Sequence, residues 1–102
     1  MRIISKSRLK EFWAAFNQAK GPLKEWHVIT EKAQWGSFAE LKTVFSTADQ
    51  VRVKSGNTIT VFNIGGNKFR LVAAVHYNTK TVYVLMIMTH EEYNEDKWKD
   101  KF

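Results

Sequence analysis

The stretch from Val61 to His76 constrains this chain most, because it reads as two strands meeting at the glycine pair Gly65-Gly66. Along the second strand Phe69, Leu71, Ala73 and Val75 alternate with Lys68, Arg70, Val72, Ala74 and His76. Period two places an apolar row on one face and two cations near the start of the other. An arginine beside so apolar a run is costly to desolvate, so Arg70 is expected to face an open surface or a partner.

The segments on either side tell what such a hairpin packs against. Met1-Arg2-Ile3-Ile4 reads as a short opening strand. Ser5 or Ser7 is placed to cap a helix whose Leu9, Phe12, Trp13 and Phe16 follow the i, i+3, i+4, i+7 stripe. Gly21-Pro22 ends it and starts a second helix with Leu23, Trp26, Thr30 and Ala33 on one face. After Trp35-Gly36, the run Ser37-Phe38-Ala39-Glu40 has capping-box spacing for a short third helix carrying Leu41 and Phe45.

From Val51 the period changes to two. Val51 and Val53 alternate with Arg52 and Lys54, and Ser55-Gly56-Asn57-Thr58 is a hairpin signal. Strands are expected over 58–64, 68–77 and 81–88, joined at Gly65-Gly66-Asn67 and Asn78-Thr79-Lys80. On the last strand Thr81, Tyr83, Leu85 and Ile87 share one face, and the wholly apolar Val82, Val84, Met86 and Met88 share the other. The apolar set is expected on the helices, which turns Leu85 to the open side. Thr89-His90-Glu91-Glu92 is a second capping box, opening a terminal helix with a Glu95→Lys99 pair. Helices segregated from a run of hairpin-linked strands predict an α+β fold, helices on one sheet face and the other face available.

Length and composition bound the rest. A chain of 102 residues, 44% hydrophobic and 14% aromatic, suffices for one core, and residues 1–102 are expected to form a single domain. With no cysteine, disulfides, thiolate metal sites and cysteine nucleophiles are excluded. Met1 is followed by no extended apolar leader, and no apolar run approaches the ~20 residues needed to cross a bilayer, so a cytoplasmic protein without a membrane segment is expected. The net charge of +6 is unevenly spread. Residues 41–90 carry six cations against Asp49 alone, a net of +5, whereas residues 91–102 carry three lysines and five acids, a net of −2. The excess on the strand-rich part is the footprint of a polyanion partner, or of an ordinary basic surface.

Most familiar chemistries find no support. His27, His76 and His90 fall on different elements without metal-ligand spacing, so no metal or other cofactor is expected. Gly65-Gly66 lacks the Gly-Lys-Ser/Thr ending and lies between two strands, so it reads as a turn and not a phosphate loop. No serine stands in a nucleophile elbow. A better set is Arg70, His90 and Tyr93. His90 starts the terminal helix, Tyr93 follows three residues on, and Arg70 comes from a neighbouring strand. A base, a phenol and a guanidinium suffice for metal-free RNA cleavage, in which a ribose 2′-OH attacks the adjacent phosphate. The competing reading makes His90 a helix-start residue and Tyr93 a core residue.

A family resemblance bears on that choice. Residues 1–93 resemble the HigB-type toxins of bacterial toxin–antitoxin modules, part of the wider RelE-like superfamily of mRNA-cleaving toxins. The resemblance is carried by Met1-Arg2-Ile3-Ile4-Ser5, Leu9-Lys10-Glu11-Phe12-Trp13, Ala33-Gln34-Trp35, Glu40-Leu41-Lys42-Thr43-Val44-Phe45 and Thr47-Ala48-Asp49-Gln50-Val51. It continues through Val61 to Leu71 and ends with Thr89-His90-Glu91-Glu92-Tyr93. It implies a RelE-like fold, a small antiparallel sheet with two or three helices on one face and a short C-terminal helix. It also implies an endoribonuclease acting on mRNA at the translating ribosome, and a HigA-type helix-turn-helix antitoxin as partner. The family's Asn-x-x-x-Asn-x-x-Arg pattern falls on Asn63, Asn67 and Arg70, and its Thr-His-x-x-Tyr motif on Thr89, His90 and Tyr93. Arg70, His90 and Tyr93 are thereby the expected catalytic residues, with Arg52, Lys54, Asn63, Asn67 and Lys68 expected to hold RNA.

One position departs from the pattern. Where relatives carry a cation shortly before the Thr-His pair, this chain has Val84-Leu85-Met86-Ile87-Met88, with Leu85 at the basic position. Two expectations follow: a ribosome-dependent mRNA endonuclease, or a weakened homologue that keeps the fold and binds without cutting. If Leu85 stands for a missing catalytic cation, an arginine there would restore a second phosphate contact.

Overall fold

A computed structural model describes all residues, Met1–Phe102. Five strands form one sheet in the order β1-β5-β4-β3-β2, with β1 Arg2–Ile4, β2 Asp49–Arg52, β3 Thr58–Ile64, β4 Phe69–His76 and β5 Thr81–Thr89. Strands β2 to β5 run antiparallel as consecutive hairpins, as their turn signals predict. The opening strand adds a parallel edge, Arg2 beside Thr81 and Ile4 beside Tyr83, with the helices and strands β2 to β4 lying between them in the chain. Helices α1 Ser7–Ala15, α2 Lys20–Lys32 and α3 Phe38–Val44 precede the hairpins, and α4 His90–Asn94 follows them. This is the α+β arrangement that the segregation of periods implies.

The helix starts show which local signals act. Ser37 caps α3 as its spacing predicts, its hydroxyl accepting the Glu40 N–H at 3.3 Å. The Glu40 carboxylate does not close a box on Ser37 but takes the Gly36 N–H at 2.6 Å. Neither Ser5 nor Ser7 caps α1. Lys6 stands at the cap without a side-chain bond, and Ser5 turns the chain at φ 68 instead. A 3₁₀ turn, Asn17–Ala19, joins α1 to α2. At the far end of α2, Lys6 lies 3.1 Å from Glu31 and holds that carboxyl below the usual carboxylate range, first through the hydrogen bond and then through its charge. The bridge ties the entry of α1 to the exit of α2.

The helices cover one sheet face. Leu9, Leu23, Trp26 and Leu41 pack on Phe62 and Ile64 of β3, Phe69, Leu71 and Ala73 of β4, and Val82 and Val84 of β5. The alternation along β4 therefore falls as the sequence predicts. On β5 it does not persist. Val72 pairs with Met86 and Ala73 with Val84, so Leu85 is the extra residue of a β-bulge. The bulge reverses the alternation: Val82 and Val84 face the helices, whereas Met86 and Met88 face the other side and Ile87 packs toward the helices. The expectation that Val82, Val84, Met86 and Met88 share one face fails at this point, since a bulge is a matter of pairing between strands.

The second face is not left open either. Val53, Ile59, Val61, Val72 and Met88 gather there around Trp98, with Leu85, Tyr93 and Phe102 at the margin. Trp98 is brought over by a break after α4. Instead of continuing through Glu95 to Lys99, the helix ends at Asn94, Asp96 adopts φ 62, and a 3₁₀ turn runs over Lys97–Asp100. The predicted Glu95–Lys99 pair is consequently absent; Lys99 lies 3.2 Å from Asp96. No helix is long and apolar enough to cross a membrane.

Candidate active site

The site forms where the start of β4 meets the end of β5. Phe69 pairs with Thr89 and Arg70 with Met88, so the residue after β5 stands beside the turn before β4. That turn needs two left-handed residues in succession, which Gly65 (φ 64) and Gly66 (φ 70) supply without a Cβ penalty. Thr89 then caps α4 in a complete capping box, its hydroxyl accepting the Glu92 N–H at 3.2 Å and the Glu92 carboxylate accepting the Thr89 N–H at 3.2 Å. The His90 N–H donates to the Lys68 carbonyl at 3.0 Å and fastens the helix to the turn.

Arg70 occupies the middle of this junction. It is 7% exposed, which overturns its expected place on an open strand face. Covering it is the Tyr93 ring, centred 5.4 Å from the guanidinium carbon, and Trp98 stacks on Tyr93 at 5.2 Å and 19°. The guanidinium donates to the carbonyls of Asn67 and Phe69 at 3.1 Å each, to the Asn67 side-chain oxygen at 2.6 Å and to His90 Nδ1 at 3.0 Å. None of these partners is an acid. The chain makes five ion pairs and Arg70 is in none of them. A nearly buried cation without a counter-charge retains an electrostatic demand for an anion, because backbone carbonyls and an aromatic face meet it only in part.

Arg70, His90, Tyr93 and Asn67 are thus brought together, Asn67 as a clamp on the guanidinium. Asn63 stands directly across the ladder from Arg70. Lys68 lies in the same turn, with its ammonium 3.4 Å from the Gln18 side-chain oxygen. The other two expected RNA contacts are elsewhere. Arg52 pairs with Thr58, five residues along β3 from Asn63, or ~17 Å at ~3.3 Å per strand residue. Lys54 is exposed and pairs with Asp100 at 2.8 Å. Both line a hollow with Glu95, Asp96, Lys97, Lys99 and Asp100 of the C-terminal segment. No three His, Asp or Glu side chains converge as metal ligands would.

Leu85 lies on the strand next to Arg70 but is not among the contacts of the guanidinium. It sits at the bulge, three residues before Met88, and lines a hollow with Ile59, Val75 and Phe102. Two residues at the site are not among those expected from the sequence, Asn94 and Trp98. Asn94 lies one turn after His90, a spacing that could have been noticed, and its amide is 3.0 Å from His90 Nε2. Trp98 could not have been placed, because its position depends on the break at Asp96.

Comparison with known proteins places the chain in a family. A family profile described as HigB_toxin, the RelE-like toxic component of a toxin-antitoxin system, matches residues 19–96. The chain is 31% identical over 94 residues to the mRNA interferase toxin HigB of Escherichia coli (strain K12), covering 92% of this chain and 88% of that protein. The mRNA interferase HigB of Shigella flexneri matches to the same extent, and that of Escherichia coli O6:H1 is 25% identical over 95 residues, 93% of this chain and 90% of the relative. The profile covers well over half of the chain and the relatives nearly all of it, so this chain belongs to the HigB family of RelE-like toxins from toxin–antitoxin systems.

Proposed function

We propose that this protein is the toxin of a toxin–antitoxin pair and acts in the cytoplasm as an mRNA interferase, an endoribonuclease cutting mRNA on the translating ribosome. The observation that carries this reading is the buried guanidinium of Arg70 without an acidic partner, set between His90 and Tyr93. In the reaction a ribose 2′-oxygen attacks the adjacent phosphorus and the bond to the 5′-oxygen breaks. Charge grows on the phosphate oxygens, and a planar donor held rigidly in a low-dielectric junction is suited to receive it. Arg70 is the electrostatic group of this scheme, Asn67 holds it, and His90 and Tyr93 orient the substrate or move its protons. Lys68 and Asn63 flank the phosphate, and Arg52 and Lys54 hold RNA backbone further along. A HigA-type antitoxin with a helix-turn-helix domain would neutralise the protein until released.

A second reading is favoured by one observation. Four of the five guanidinium N–H groups of Arg70 are already committed within the protein. A site so satisfied could bind RNA or antitoxin without effective cleavage. Expression of the chain alone in bacteria, with 5′-end mapping of cellular transcripts, separates the two. Growth arrest with codon-phased cuts supports the enzyme, and healthy cells with intact mRNA support the binding protein.

A further inference from the structure

Both ring nitrogens of His90 are engaged, and the Arg70 contact admits only one protonation pattern. Nδ1 lies 3.0 Å from a terminal nitrogen of Arg70, a group that donates and cannot accept. Nδ1 must therefore carry its lone pair, and the ring proton must be on Nε2. On that side the Asn94 amide is 3.0 Å away. As placed, the Asn94 Nδ2 faces the ring, which would make both ring nitrogens acceptors and leave the imidazole with no proton at all. The two ends of an amide are nearly isosteric, so the ring decides that the Asn94 oxygen faces it and accepts from Nε2–H. A doubly protonated ring would set Nδ1–H against the guanidinium N–H.

From this we infer that His90 works as the neutral Nε2–H tautomer, a hydrogen-bond donor to the substrate phosphate, and is not the base that activates the 2′-OH. The inference deepens the endonuclease reading and rests on it. A base needs an available lone pair, and the lone pair of His90 is occupied by the residue that the mechanism holds fixed. What His90 presents outward, from a half-buried ring next to the exposed Asn94, is an N–H. The Asn94 oxygen holds that N–H in the free protein. An anionic phosphate oxygen is the stronger acceptor and takes its place. No proton changes hands at His90: the 2′-OH proton passes to Tyr93 or water, the departing 5′-oxygen takes a proton from water, and the phosphate meets the His90 Nε2–H beside the positive charge of Arg70.

Two measurements test this on the full chain. Nitrogen-15 NMR of histidine-labelled protein at neutral pH should show His90 Nδ1 as the unprotonated nitrogen and Nε2 as the protonated one. The opposite tautomer, or a doubly protonated ring, overturns the inference irrespective of any activity. The second measurement is single-turnover cleavage of mRNA on programmed ribosomes by His90→Gln and His90→Ala, with melting of both variants. Glutamine places an amide N–H near the Nε2 position but offers no imidazole base. His90→Gln should stay within about tenfold of the parent, whereas His90→Ala should lose on the order of 100-fold, the usual effect of removing one oxyanion donor. A glutamine variant that melts normally but is as slow as alanine overturns the donor role. A parent protein that cuts nothing overturns the endonuclease reading and the donor role with it, while the NMR result still decides the tautomer.

Discussion

Arg70 and Leu85 are the two residues at which the surroundings, not the residue type, set the role. A guanidinium at 7% exposure with no carboxylate beside it is costly to keep, and the carbonyls of Asn67 and Phe69 are oriented around it. Arg70→Ala is therefore expected to do two things at once. Cleavage should be lost, and the unfolding free energy in urea should fall by ~2 kcal/mol as buried acceptors lose their donor. A variant as stable as the parent would show that the cage stabilises nothing. At Leu85 the expectation runs against a restored catalytic cation. The residue sits at the bulge beside Ile59 and Phe102, and a guanidinium there would give up its apolar packing for a hollow that already holds Lys101 and has no acid in its lining. Leu85→Arg should lower stability by ~1–3 kcal/mol without faster cleavage, the range for an unpaired polar group placed in a core margin. Faster cutting at unchanged melting temperature would restore the cation hypothesis.

At the scale of elements, the C-terminal segment after α4 organises the second sheet face. Its anchor is Trp98, which is 2% exposed, stacks on Tyr93 and donates its indole N–H to the Tyr93 carbonyl at 3.0 Å. The end of the chain is tied down as well, since the Asn57 side chain donates to the Phe102 carbonyl at 3.3 Å and Ser55 donates to the same oxygen. Through Tyr93 this segment bears on Arg70, so a structural residue lies one ring away from the candidate chemistry. Trp98→Ala should destabilise by ~3–5 kcal/mol, as large aromatic truncations in cores do. It should also expose Arg70 to faster hydrogen exchange at its neighbours Phe69 and Leu71. A loss below ~1 kcal/mol in equilibrium unfolding would mean that the segment only rests on the sheet.

For the whole molecule, charge decides how RNA is approached. The net of +5 over residues 41–90 is offset by the −2 of residues 91–102, and the offset is physical, because Asp100 pairs with Lys54. Binding of isolated single-stranded RNA should still weaken with salt. Each phosphate contact contributes about 0.7 to the slope of log affinity against log salt, so Arg70 and Lys68 together should give at least about 1.4. Asp100→Asn frees Lys54 and should steepen the slope by about the same single-contact increment if RNA reaches β2. A flat response in the parent protein would sink a charge-driven site.

What was legible in the sequence is what short-range physics controls. Period-two alternation identified β3 and β4 and the helix-facing row of Phe69, Leu71 and Ala73, because side-chain direction in a strand follows from local geometry. Ser37 and Thr89 announced two helix starts, since a cap is a bond between residues three apart. Gly65-Gly66 announced the turn that sets Arg70 near His90. Tertiary structure alone decided the rest. The bulge at Leu85 arises from the register between β4 and β5, which no window along one strand contains. Burial of Arg70 depends on Tyr93 and Trp98 folding back across the sheet after the turn at Asp96. The identity of the His90 proton depends on an arginine 20 positions away. Each is a long-range contact whose energy comes from desolvation and packing, so the residues that make it carry no mark of it in their own neighbourhood.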